Sequence, residues 1–179
     1  MNLQTVLINI PFLVACLLLI IKIPTSIKRG FVKELCSVVS IIIASVLVLL
    51  IAFAIKKYVN QERLVFCISV VLLILLLIIY KIIDLGLTTL KLISKLPVVS
   101  FFNKIIALPF AIFEVVVLIW AVYCLVMVLD AGALGTWIMN CVRVNPIMKF
   151  LYQYNYMYNI VAKFSETLKA VDIFAKLGM

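Results

Sequence analysis

Four stretches of this chain run for close to 20 residues with one charge among them all, and that length decides what they can become. A helix rising 1.5 Å per residue crosses about 30 Å of hydrocarbon in about 20 residues. Leu3 to Ile21 carries only Gln4, Thr5 and Asn9 as polar side chains, with Pro11 placed to kink it. Leu35 to Ile55 holds nothing more polar than Ser37, Ser40 and Ser45, and Leu64 to Ile79 is dominated by Leu, Ile and Val. Ile105 to Leu129 includes Pro109 and the single charge, Glu114. None of the runs alternates as a barrel strand would. An unsatisfied backbone donor costs several kcal/mol in lipid, so all four are expected as helices. The expected fold is all-α: a four-helix transmembrane domain over residues 1–130, joined by amphipathic helices lying in the membrane interface.

Composition supports the same class and removes others. The chain is 68% apolar and 13% charged, against about 45–50% and about 25% in soluble domains. It has no histidine, seven carboxylates scattered along its length, and five glycines that never cluster. Metal-dependent hydrolysis and nucleotide chemistry therefore lack their usual residues, and the chain is expected to be no enzyme and to carry no cofactor or metal. The first run lacks the basic start of a cleavable signal and stays apolar through Ile21, so it is kept as a span. Leu13-Val14-Ala15-Cys16 resembles a lipoprotein cleavage box without its basic flank.

Lysine and arginine in short loops set orientation. Lys22, Lys28, Arg29 and Lys33 in the first connection and Lys81, Lys91, Lys95 and Lys104 in the third outnumber Lys56, Lys57, Arg63, Arg143 and Lys149 on the other side. Both termini are then expected outside the cytoplasm. The net charge of +9 is spread singly and in pairs at span ends, which suits a bilayer with anionic headgroups rather than nucleic acid. Cys16, Cys36, Cys67 and Cys124 lie in apolar runs as small packing residues. Cys141 falls in the expected outer tail, where it could pair only between chains.

Between the third and fourth runs, Asp84, Thr88, Lys91 and Lys95 form a polar stripe opposite Leu85, Leu90, Leu92, Ile93 and Leu96. Such a division predicts an interfacial helix near 84–96, ended by Pro97, its lysines facing acidic lipid or a protein partner. Residues 131–179 are expected as an amphipathic extracytoplasmic tail. Gly132, Gly135 and Asn145-Pro146 mark breaks in it. Tyr152, Tyr154, Tyr156 and Tyr158 alternate as in a strand, yet Ile147, Phe150, Leu151, Tyr154, Tyr158 and Val161 also form one helical face; an interfacial helix is preferred. Leu168, Val171 and Ala175 predict a last amphipathic helix.

Lys28-Arg29-Gly30-Phe31-Val32-Lys33-Glu34-Leu35 resembles the lead-in to the second span of the colicin V production (CvpA) family of bacterial inner membranes. Asn103-Lys104-Ile105-Ile106 is similar to the polar-basic start of that family's last span, and Asn145-Pro146-Ile147-Met148-Lys149-Phe150-Leu151-Tyr152 to its end segment. Where the family's last span is glycine-rich, this chain has Ala107 and Ala111. The resemblance implies a multi-pass protein of the bacterial cytoplasmic membrane, a non-catalytic accessory or scaffold tied to toxin production or export.

Read physically, Gly30 offers a tight turn, Lys28 and Arg29 can hold lipid phosphate, and Glu34 sits in the first turn of the second span, where the helix dipole favours an anion. That is either a cap with topological charges or a lipid- or partner-binding motif. Cys36, Ser40, Ala44, Val48 and Ala52 form a small-residue ridge, and Ala107 and Ala111 a shorter one; such ridges let helices approach closely, so Ala44 is expected near Ala111. Glu114, about 13 Å into its span at 1.5 Å per residue, is the costliest side chain. It is expected as a neutral acid bonded to Asn9, a serine or a carbonyl freed by Pro109, as a proton or cation site, or at a subunit interface. A proton site would make the chain a small oligomeric channel or proton-coupled transporter instead.

Overall fold

The computed structural model describes residues 3–56, 58, 62–89, 100–129, 132–160 and 163. These form α1 (Leu3–Arg29), α2 (Phe31–Lys56), α3 (Glu62–Thr89), α4 (Ser100–Leu129), α5 (Gly132–Val144) and α6 (Pro146–Gln153), with a further helical turn at 156–160 and no strand among the described residues. Among the described residues, four helices are long and apolar enough to cross a membrane: Ile8–Arg29, Phe31–Lys56, Leu64–Thr89 and Lys104–Leu129.

Two helices continue well beyond the apolar runs. α1 carries on through Lys22 and Pro24 to Arg29, because Lys22 is satisfied inside the bundle and no longer marks an end. It therefore drops out of the loop charges used for orientation. α3 extends through Asp84 to Thr89, so the expected interfacial helix does not start at residue 84; residues 90–99 lie outside the described residues. The polar stripe is also turned the other way. Asp84 is buried against Arg29 at 3.6 Å while Leu85 is 70% exposed. In hydrocarbon the polar side seeks the bundle and the apolar side seeks lipid.

Gly30 alone joins α1 to α2, at φ 81°, a left-handed conformation that costs a side-chain-bearing residue roughly 1–2 kcal/mol. Its N–H donates to the Ser26 carbonyl at 2.9 Å. Successive spans alternate direction, so α2 and α4 run parallel, and they form the most extensive helix pair. Ser40, Ala44, Ala107 and Ala111 are all fully buried. The register, however, separates Ala44 from Ala111. The Phe31 and Phe110 rings meet at 5.0 Å, which sets Ala111 level with the start of α2 and leaves Ala44 about 18 Å farther along the pair. Ala107 serves a different neighbour: its carbonyl accepts from Ser26 Oγ at 3.2 Å, and its small side chain admits the end of α1.

The segment after α4 folds back along the bundle instead of lying on its surface. Gly132, at φ 47°, starts the return. Asn145 caps α6, accepting from the amides of Ile147 and Met148, with Pro146 following. Trp120 Nε1 donates to the Leu151 carbonyl at 2.8 Å, and Asn155 Nδ2 donates to the Trp120 carbonyl at 3.3 Å. Trp120 lies about 13 Å from the end of α4, so α6 sits at that depth. Met148, Asn155 and Met157 are buried, while Ile147, Phe150, Tyr154 and Tyr158 form an outer face. The tyrosine run is thus helical but broken at Tyr154-Asn155. The expected helix around Leu168, Val171 and Ala175 lies outside the described residues. Cys141 is fully buried, which removes it from pairing between chains.

Two labelling experiments check this arrangement. With the native cysteines replaced, Phe31→Cys with Phe110→Cys is bridged by a short bifunctional thiol crosslinker, whereas Ala44→Cys with Ala111→Cys, about 18 Å apart along the pair, is not; mass spectrometry of the treated chain reads both. In the folded wild type Cys141 resists maleimide, since burial both shields its thiol and pushes its pKa above the usual value; labelling rises with pH and on unfolding.

Candidate functional site

Polar side chains from all four spans meet around one ammonium. Lys22 comes from α1, eight residues before the Gly30 turn, and Glu34 from α2, four residues after it. Lys22 Nζ lies 3.1 Å from Glu34 Oε1 and 2.6 Å from Glu114 Oε2, and it donates to Glu114 Oε1 at 2.7 Å and to Ser37 Oγ at 3.3 Å. From α3, Tyr80 donates its hydroxyl to Glu114 Oε1 at 2.7 Å and meets Ser37 Oγ at 2.7 Å. With Tyr80 donating to the carboxylate, Ser37 is left as donor to Tyr80. Lys22, Ser37, Tyr80 and Glu114 therefore close a ring of hydrogen bonds drawn from all four spans. Glu34 stands outside the ring, 0% exposed, with Lys22 and Ser26 as its polar neighbours.

Burial makes this arrangement expensive to disturb. Moving an ion into a low-dielectric interior costs several kcal/mol even after relaxation, and only well-formed partners return it. Glu114 has three oxygen-directed contacts within 2.7 Å. Both Glu34 oxygens and Glu114 Oε2 lack an aligned hydrogen bond, although each carboxylate has an oxygen close to the ammonium. Beside the cluster, a cleft of about 260 Å³ is lined by Lys22, Thr25, Arg29, Tyr80, Lys81 and Glu114, with Leu18, Leu77 and Leu118 in its wall. It exists because α1 and α3 make almost no direct contact. Among the described residues no three His, Cys, Asp or Glu side chains are grouped as a metal would need.

The residues singled out from sequence are distributed as follows. Glu114 and Glu34, read separately as an intramembrane acid and a helix-start anion, meet on Lys22. Asn9 does not join them: it lies thirteen residues, about 20 Å, before Lys22 along α1. Pro109 is within α4, but Glu114 is held by Lys22 and Tyr80 rather than by a carbonyl freed there. Arg29 pairs with Asp84, Lys28 is exposed, and Gly30 makes the turn. Lys22 and Tyr80 were missed because both sit at the ends of apolar runs, where a cation and a tyrosine have ordinary interfacial roles. One signal was present: Ile23 to Ile27 contains no charge, so Lys22 interrupts the first span instead of ending it.

Removing the shared cation should therefore cost more than removing one of its two anions. Lys22→Ala, which leaves two buried carboxylates without a counter-charge, is expected to lower stability by about 3–5 kcal/mol, and Glu114→Gln by less. Unfolding midpoints in detergent titrated with a denaturing surfactant measure the order.

The family model for colicin V production protein matches residues 13–151. No curated protein and no solved structure matches the chain. The match covers α2, α3, α4, α5 and most of α1, including every residue of the charge cluster, and this multi-pass membrane chain belongs to the colicin V production protein family.

Proposed function

We propose that the chain is a non-enzymatic accessory or scaffold protein of the bacterial cytoplasmic membrane, acting in production or export of a colicin V-type toxin. In that reading the Gly30 end of the bundle faces the cytoplasm and anionic headgroups meet Lys28, Lys33 and Lys81. The supporting observation is the cluster in which Lys22 of α1 contacts Glu34 and Ser37 of α2 and Glu114 of α4, with Tyr80 of α3 donating to the same Glu114 carboxylate, within a chain of this family. Such a tie fixes the four helices relative to one another. A fixed frame with the aromatic outer face of α6 exposed beside it suits contact with a second membrane protein or another copy of the chain.

In a host making such a toxin and its exporter, deletion of the gene is expected to lower extracellular toxin activity several-fold while intracellular toxin persists. The wild-type gene restores export, and Lys22→Ala restores it less well at equal membrane abundance. Unchanged extracellular activity on deletion would remove the proposal. A second reading, a small channel or proton-coupled transporter, is favoured by the cleft that reaches Lys22 and Glu114. Liposomes loaded with a pH-sensitive dye distinguish it: a proton flux present in wild type and absent in Glu114→Gln is its expected result.

A further inference from the structure

The cluster holds one cation against two carboxylates. Lys22 from α1 is the only ammonium touching Glu34 or Glu114 among the described residues. Every other charged group near them is engaged or outward. Arg29 of α1 faces Asp84 of α3. Lys33 of α2 and Lys81 of α3 are exposed, Lys81 lying over the Tyr80 ring at 5.2 Å. The remaining neighbours are neutral donors: Ser26 and Ser37, the Tyr80 hydroxyl, and the Cys36 thiol on the Asp84 side. With both glutamates ionised, the cluster would carry a net charge of −1 in a place where one unpaired charge is among the costliest things a protein can hold.

The two carboxyls are not equivalent. Glu114 has the environment of an anion: the ammonium touches both of its oxygens, and Tyr80 donates to one of them. Glu34 has the environment of a neutral acid. It is fully buried, with one oxygen 3.1 Å from the ammonium and Ser26 as its other polar neighbour, and it has none of the shorter contacts that Glu114 makes. Of two buried carboxyls sharing one cation, the one with the fewer and longer donor contacts is where a proton is better tolerated.

We propose that Lys22, Glu34 and Glu114 form a site for one exchangeable proton, carried on the Glu34 carboxyl and held there because the lysine already balances Glu114. The step is acid–base only. The Glu34 O–H bond breaks, its electron pair stays on the carboxylate, and the proton passes to bulk water by way of the cleft that Lys22 and Glu114 line, taking the cluster from neutral to −1. The site requires neither transport nor an export role, so it stands apart from both functional readings above.

Charge balance gives this site a signature that burial alone does not. Removing either glutamate leaves one cation and one anion, and the cluster is then neutral with no proton bound. In lipid nanodiscs at pH 7, infrared spectroscopy of the wild type is expected to show a carboxylic-acid C=O stretch that shifts in D₂O. That band should be lost in Glu34→Gln and equally lost in Glu114→Gln, even though Glu114 is not the group that carries the proton. In Lys22→Met the band should grow, because two carboxyls then lack a cation. A wild type without the band overturns the proposal and points to a bound monovalent cation or two ionised glutamates. A band that survives Glu114→Gln also overturns it, since Glu34 would then be protonated by burial alone. Should a variant not fold, wild-type chain carrying ¹³C at the glutamate carboxyl carbons still decides: one of the four glutamates must give an acid carbon shift at pH 7, and four ionised carboxylates refute the site.

Discussion

An ammonium inside hydrocarbon must be surrounded by oxygen, and the arrangement of the four spans follows from how this chain surrounds Lys22. Its nitrogen reaches α2 through Glu34 and Ser37 and α4 through Glu114, while Tyr80 brings α3 to the same carboxylate. Apolar packing cannot choose among rotations of helices this uniformly apolar, because lipid tails offer nearly the same environment as another leucine face. Polar groups can choose. A rotation that turned Glu114 or Glu34 toward lipid would leave a charge uncompensated, which outweighs the small differences among dispersion contacts. The small residues then decide how closely the chosen faces approach: Ala107 at the end of α1, and Ala44 and Ala52 within the α2 face.

The existence and class of the spans were legible in the sequence because they depend on length and on backbone hydrogen bonding, both of which are local. Their ends were less so. Lys22 looked like the edge of a span and Asp84 like the start of an interfacial helix, since a charge in a linear reading has no visible partner; in the bundle each finds one, and the helix continues. Register between helices was not legible at all. Two alanine ridges at steps of four say that close approach is possible along each helix. They do not say which turn of one meets which turn of the other, and the Phe31–Phe110 contact and the shared lysine supply that information. The folded-back tail was hidden for a similar reason. Its two turn signals, Gly132 and Asn145-Pro146, were readable, but whether the apolar face so created meets lipid or the bundle depends on Trp120 and Asn155 finding carbonyl partners far away in sequence.

For the site, Glu114 stood out since a lone carboxylate in an apolar run has no ordinary explanation. Lys22, Glu34 and Tyr80 were masked by good ordinary explanations, as a loop cation, a helix-start anion and an interfacial tyrosine. Those explanations rest on sequence position relative to a span end. They fail once the end moves, and the position of the end is itself set by the cluster.

This dependence also gives the Gly30-x-x-x-Glu34 spacing a physical meaning beyond capping. Glu34 lies four residues after the turn, about 6 Å along α2, and Lys22 eight residues before it, about 12 Å along α1. The lysine stem spans the difference of about 6 Å by reaching toward the turn, as long cationic side chains do in membranes. A one-residue turn is the shortest connection that sets the two helices side by side, and Gly30 can make it because its φ of 81° carries no side-chain penalty there. A longer connection would let α2 slide or rotate, and a quarter-turn would take Glu34 off the lysine. The turn, the lysine and the glutamate therefore form one device: the glycine sets the register that brings a second carboxylate to an ammonium already satisfied by Glu114.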